Sequence, residues 1–80
     1  MNKIKVLLAD DHTIVRIGLS ALLATQPDID VVGEADNGDA AVKAALKLRP
    51  DIVIMDLMMP KKDGVEATRE LHAQAPNIKI

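Results

Sequence analysis

The sequence predicts an α/β fold in which the strands of a parallel sheet alternate with helices, and three observations predict it. Apolar runs of strand length, Ile4 to Ala9 and Ile52 to Met55, are separated by stretches whose apolar residues follow helical spacing. The connections between them are only a few residues long, so each strand, helix, strand unit implies a right-handed crossover onto a parallel sheet. Both apolar runs stop at carboxylates, Asp10-Asp11 and Asp56. In open sheets of this kind ligands bind beyond the carboxyl ends of the strands, where those acids fall.

The elements follow in order. Ile4 to Ala9 is the first strand, interrupted only by Lys5. From Thr13 the pattern turns helical, with Ile14, Ile17 and Ala21 on one line and Val15, Leu19, Leu22 and Leu23 beside it. Arg16 and Ser20 lie outside that stripe, and Gln26-Pro27 ends the helix. Val31 to Ala35 reads as a short edge strand, with Asp36-Asn37-Gly38 as its turn. Asp39 to Arg49 is a second helix, with Ala41, Ala44, Ala45 and Leu48 on one face and Lys43 and Lys47 on the other, closed by Pro50. Ile52 to Met55 reads as a strand buried on both faces, stopped by Asp56 because a central strand has no solvated side to receive a charge. Pro60 and Asp63-Gly64 turn the chain out of it, the glycine supplying a positive φ. Val65 to Ala75 is a third helix with Val65, Thr68, Leu71 and Ala75 as its inward line, and Ile78-Lys79-Ile80 has the character of a fourth strand's start.

Composition narrows the function. Eighty residues, 49% of them apolar, suit one small unit with a modest core. There is no Phe, Trp or Tyr, so no aromatic platform exists on which bases could stack. A formal net charge of −2 with interspersed signs provides no basic stripe, so this segment is not expected to bind nucleic acid directly. The absence of cysteine excludes thiol redox chemistry and thiolate metal sites. The amino-terminal apolar run is too short to span a membrane and lacks a cleavage pattern, which makes the cytoplasm the expected location.

If the first and third strands are neighbours, about 4.8 Å apart, Asp10, Asp11 and Asp56 converge within a few ångströms. Three carboxylates so close repel one another, so either one keeps a proton through a raised pKa or a cation neutralises them. Mg2+ suits the second option, since it takes few carboxylates, keeps several waters and leaves room for phosphate oxygens. Taken singly, each feature has a plainer explanation. Asp-Asp after a strand is most simply a cap or turn, and Asp63-Gly64 a bend. Met58 and Met59 are most simply packing groups, although a Met58 backbone carbonyl is placed to reach a cation held by Asp56. His12 reads as a solvent-facing loop residue, and His72 lies on a distant helix.

The joint pattern resembles a family. Val6-Leu7-Leu8-Ala9-Asp10-Asp11-His12, Val31-Val32-Gly33-Glu34-Ala35 with Asn37-Gly38, and Pro50 through Pro60 followed by Asp63-Gly64-Val65-Glu66 together resemble the receiver domain of a two-component response regulator, over all 80 residues. The detailed wording is similar to the subgroup whose full-length members carry a carboxyl-terminal helix-turn-helix. The resemblance implies a flavodoxin-like sheet of strand order 2-1-3-4-5. It implies Asp56 as the phosphoacceptor, receiving a phosphoryl group from a histidine kinase or a small phosphodonor. It implies Asp11 as a direct Mg2+ ligand, Asp10 as its water-mediated partner, and the backbone carbonyl of Met58 beside Asp56 as the remaining protein ligands. Such a chain is a signalling module rather than a turnover enzyme, and regulates transcription in its full-length parent.

Residues 1–80 would then be a partial receiver of βαβαβαβ order, truncated after the start of strand four, with the remaining receiver elements and any output domain absent. In the family those elements carry a Ser or Thr and a Lys that contact the phosphoryl oxygens. Without the fifth helix, apolar groups beside the first would meet water, which leads to an expectation of self-association, as a homodimer or higher assembly. The alternative function is accordingly a self-associating structural fragment with an idle acidic site. An aspartyl-phosphate hydrolase fits poorly because Met58 stands where a second acid would be wanted, and no Gly-rich phosphate loop supports nucleotide binding.

Overall fold

The computed structural model describes residues 3–59 and 62–80; Pro60, assigned above to the turn after the third strand, lies outside them. Six elements alternate in chain order: β1 (Ile4–Ala9), α1 (Thr13–Ala24), β2 (Ile29–Ala35), α2 (Gly38–Leu48), β3 (Ile52–Met55) and α3 (Gly64–Gln74). The strands form one parallel sheet in the order β2-β1-β3, so β2 is an edge, as its sequence suggested. Lys79 forms a parallel bridge to Ile52 on the far side of β3, with the Val53 N–H donating to the Lys79 carbonyl at 2.7 Å, which is the beginning of the expected fourth strand. A register shift between Val6 and Leu7 accommodates one extra residue of β2 and brings Ala9 opposite both Ala35 and Met55. The three strands therefore end level with one another, and the next residue in each is an aspartate: Asp10, Asp36 and Asp56.

The side chains of Leu7 and Val53 point to the face covered by α2 and α3, where they meet Val42, Ala45, Ala67 and Leu71 in the main core. Nearer the strand ends Ala9, Ala35, Ala41 and Met59 form a second cluster. Small residues predominate on the helices, which lets α2 and α3 approach the sheet closely without aromatic filling. Caps set both helices. The Asn37 side chain accepts from the Ala40 N–H at 2.9 Å, and the Asp63 side chain from the Glu66 N–H at 2.9 Å. Arg49, with φ 51°, closes α2 in the left-handed region before Pro50.

Four expectations change on contact with the structure. First, β3 is covered on one face only: Val53 is buried, but Ile54 on the opposite face is 41% exposed, because α1 packs chiefly over β2 and β1. Second, α1 buries none of its residues, and its half-buried line is Arg16, Leu19, Ser20 and Leu23 rather than the apolar stripe through Ile14 and Ile17. Apolar residues surround this helix on most sides, so their spacing does not select one face. Third, Leu71 on α3 and Ala75 at its end are buried as expected and Thr68 is half-buried, but Val65 is exposed and Gly64 and Ala67 face inward in its place. Fourth, Gly64 has no positive φ. A Cβ there would stand 2.0 Å from the Asp56 carbonyl oxygen, so glycine is required by close approach of the helix start to the backbone of Asp56.

Candidate functional site

The parallel register sets the site. The Asp56 N–H donates to the Ala9 carbonyl at 2.9 Å and the Asp10 N–H to the Ala35 carbonyl at 3.0 Å, so both residues continue the ladder at the moment the chain leaves the sheet. Asp11 follows on the β1–α1 loop. Ligand atoms of Asp10, Asp11, His12 and Asp56 all lie within 4.8 Å of one another, the convergence expected from neighbouring strands. Met58, exposed on the loop after β3, donates its N–H to Asp56 Oδ1 at 3.3 Å and so joins the site through its backbone. Asp36 stands at the same level of the sheet but turns away to accept from the Asn37 side chain at 2.8 Å. Level strand ends thus supply three aspartates, and loop chemistry decides which of them converge.

His12 is the residue that sequence reasoning missed. It caps the amino end of α1 with extended backbone, and its ring returns over the strand ends. Nδ1 lies 2.9 Å from Asp10 Oδ1, 3.1 Å from Asp11 Oδ1 and 3.5 Å from Asp56 Oδ2. The signal was available in principle: a histidine directly after an acid pair, immediately before the first residue of a helix, has little freedom to leave those acids. The hydrogen bond that the ring donates to Asp10, followed by the charges of Asp11 and Asp10, raises the imidazole pKa above its ordinary value. Asp10 moves the other way. The His12 backbone N–H, at 2.8 Å, holds its carboxyl below the usual range, burial opposes this, and the His12 ring and Arg16 add to the lowering. His72 is exposed on α3, away from the acids.

The donor set fits a hard divalent cation. Three carboxylates from two strand ends supply oxygen ligands, and the partial exposure of Asp11 and Asp56 leaves room for water and a phosphate oxygen. A groove of about 340 Å³ opens beside the cluster, between Val15 and Leu19 of α1 and Ile54 of β3.

Residues 6–80 match the response regulator receiver domain family. The chain belongs to that family. It is 54% identical over 77 residues to the response regulator protein VraR of Staphylococcus saprophyticus, covering 96% of this chain and 37% of that protein. The chain thus spans little more than a third of the length of this relative. Among solved structures, the response regulator domain of Thermotoga maritima CheB superposes with a TM-score of 0.92 at 39% identity, over 95% of this chain and 57% of that one. RcsB of Salmonella enterica serovar Typhimurium, solved bound to the rprA promoter with the phosphomimetic BeF3−, superposes with a TM-score of 0.86 at 32% identity, over 95% and 39% of the two chains. The parallel sheet with alternating helices is the receiver fold of a two-component response regulator. Among the described residues no helix is long and apolar enough to cross a membrane.

Proposed function

We propose that this receiver is a Mg2+-dependent phosphoacceptor module, with Asp56 as the nucleophile and a histidine kinase or small acyl phosphate as donor. The observation that carries the reading is the convergence of Asp10 and Asp11 on Asp56 at the level ends of adjacent strands. Asp56 is held on a rigid element, with Oδ1 accepting the Met58 N–H and Oδ2 turned toward the cluster. In the transfer, a carboxylate oxygen of Asp56 forms a bond to phosphorus as the bond from phosphorus to the donor's imidazole nitrogen or acyl oxygen breaks. The leaving group departs with that electron pair, and the product is an aspartyl phosphate. Asp11, the Asp56 carboxylate and the Met58 carbonyl would hold Mg2+ directly and Asp10 through water. When bound, the cation offsets the repulsion between carboxylate and phosphoryl oxygens. His12 must yield its place among the carboxylates for this to happen. Such a protein is modified once per signal, so it is a switch rather than an enzyme with turnover, and its place of work is the cytoplasm. The likeness to VraR and to promoter-bound RcsB supports transcription regulation as the output of the longer protein.

A second reading, a self-associating module with an idle acidic site, is favoured by the apolar surface of α1, where Ile14 is 85% exposed and Ile17 and Leu22 are also open. Intact mass after incubation with acetyl phosphate and MgCl2 separates the two. A phosphoryl adduct on the parent chain and none on Asp56→Asn is the expected result. No adduct on a folded chain that sediments as a dimer would establish the second reading instead.

A further inference from the structure

The loop that carries Asp11 and His12 leads into α1, and α1 has no buried residue to hold it against the sheet. Its inward line begins at Arg16, whose side chain is only 18% exposed. The guanidinium reaches two separate elements. Nη1 donates to the backbone carbonyl of Asp10 at 2.7 Å, and Nε donates to Glu34 Oε1 on β2 at 3.1 Å. The Arg16 N–H donates to the His12 carbonyl at 2.9 Å, so one residue grips both ends of the segment Asp10–His12.

The carbonyl of Asp10 belongs to the peptide plane that joins Asp10 to Asp11. Fixing its direction fixes where the chain departs from β1, and with it the position from which the Asp11 carboxylate is projected. A planar fork with two nitrogens committed to two anchors sets both distance and orientation, which a flexible ammonium cannot do. Apolar packing on this face is partial: Leu8 of β1 is buried, but the rest of the helix's own inward line, Leu19, Ser20 and Leu23, is only half-buried, and such contacts do not fix the direction of a peptide plane. We infer that Arg16 is a positioning residue for the cation site: by clamping the Asp10–Asp11 peptide to Glu34, it holds the acid pair at the spacing from Asp56 that a divalent cation requires. The inference rests on the metal-binding reading given above and extends it to a residue that would touch neither cation nor phosphoryl group.

Isothermal titration of the 80-residue chain with MgCl2 tests it, alongside far-UV circular dichroism and urea unfolding for each variant. Arg16→Met keeps the aliphatic stem and removes both donors. It is expected to weaken Mg2+ binding about tenfold or more, the usual scale for groups that orient metal ligands. Arg16→Lys, which can serve one anchor at a time, is expected to fall between Met and the parent. Glu34→Ala, at the exposed end of the clasp, is expected to weaken binding a few-fold, and it carries the test if Arg16→Met does not fold. Ile14→Ala, on the outer face of the same helix, is expected to leave the affinity unchanged. An affinity within twofold of the parent in folded Arg16→Met, or in Glu34→Ala where that variant carries the test, would overturn the clasp while leaving the metal site intact. A folded parent that takes up no Mg2+ would overturn the metal-binding reading and the clasp with it.

Discussion

The two faces of this sheet are covered to different extents. On one, α2 and α3 bury Leu7, Val53, Ala67 and Leu71 in a continuous apolar core. On the other, α1 leaves Ile14, Val15, Ile17 and Leu22 in solvent and is tied down at its amino end by Arg16. The acidic cluster stands at the boundary, with Asp56 at the end of β3, whose Val53 packs into the α2–α3 core, and Asp11 and His12 on the loop that begins α1. The contrast teaches that Asp56, the proposed phosphoacceptor, leaves a strand whose Val53 lies in the main core, while Asp11 and His12 lie on the loop into the helix that buries none of its own residues. Adjustment of His12 therefore need not disturb the core.

Truncation of the core should produce the largest effect. Leu71→Ala removes a side chain with no exposed surface, and a loss of about 2 to 5 kcal/mol is expected, enough to unfold much of so small a domain. Ile14→Ala, of comparable apolar size, should change stability by no more than about 0.5 kcal/mol. Urea midpoints measured side by side decide the matter, and equal losses would abolish the distinction between the faces. Gly64→Ala comes next. Its new methyl would meet the Asp56 carbonyl at 2.0 Å, a backbone atom that cannot swing aside, so a loss of about 1 to 3 kcal/mol is expected together with displaced amide resonances at Asp56 and Met58.

The smallest effect concerns pH. His12 has a raised pKa in the folded chain, so its contribution to stability is fully present below its unfolded value, about 6.5, and is lost as pH rises through the raised value. Asp10 has a lowered pKa, so its contribution is present above its unfolded value and lost as pH falls through the lowered one. The loop end should accordingly be tightest in mildly acidic solution. With divalent cations absent, urea stability of the parent is expected to decline modestly from pH 6 to pH 8, and that slope should flatten in His12→Gln. An unchanged slope would mean that the imidazole makes no net contact with the acids in solution.

Much of the fold was legible because it depends on local pattern. The apolar runs at Ile4–Ala9 and Ile52–Met55 and the strand start at Lys79 follow from residue type and spacing, while Asn37 and Asp63, read as turn residues, also cap the helices that follow them. Helix faces were less legible where apolar residues lie on several sides, as on α1, or where small residues pack inward, as at Gly64 and Ala67 on α3. Of the site, Asp10, Asp11 and Asp56 could be read because each ends or follows a strand. Their meeting needed only the assumption that β1 and β3 are neighbours, which the sheet satisfies.

By itself, then, the sequence determined the alternation of elements and the delivery of carboxylates to the strand ends, because hydrophobic periodicity and chain breaks act over a few residues. Only the tertiary structure decided that Asp36 turns away, that His12 enters the cluster, that Arg16 faces inward to Glu34, and that Gly64 lies against the Asp56 carbonyl. The contacts of His12 with Asp56, of Arg16 with Glu34 and of Gly64 with Asp56 join different elements, and the bond of Asp36 to its neighbour Asn37 is a choice of side-chain direction; none of them is carried by hydrophobic periodicity.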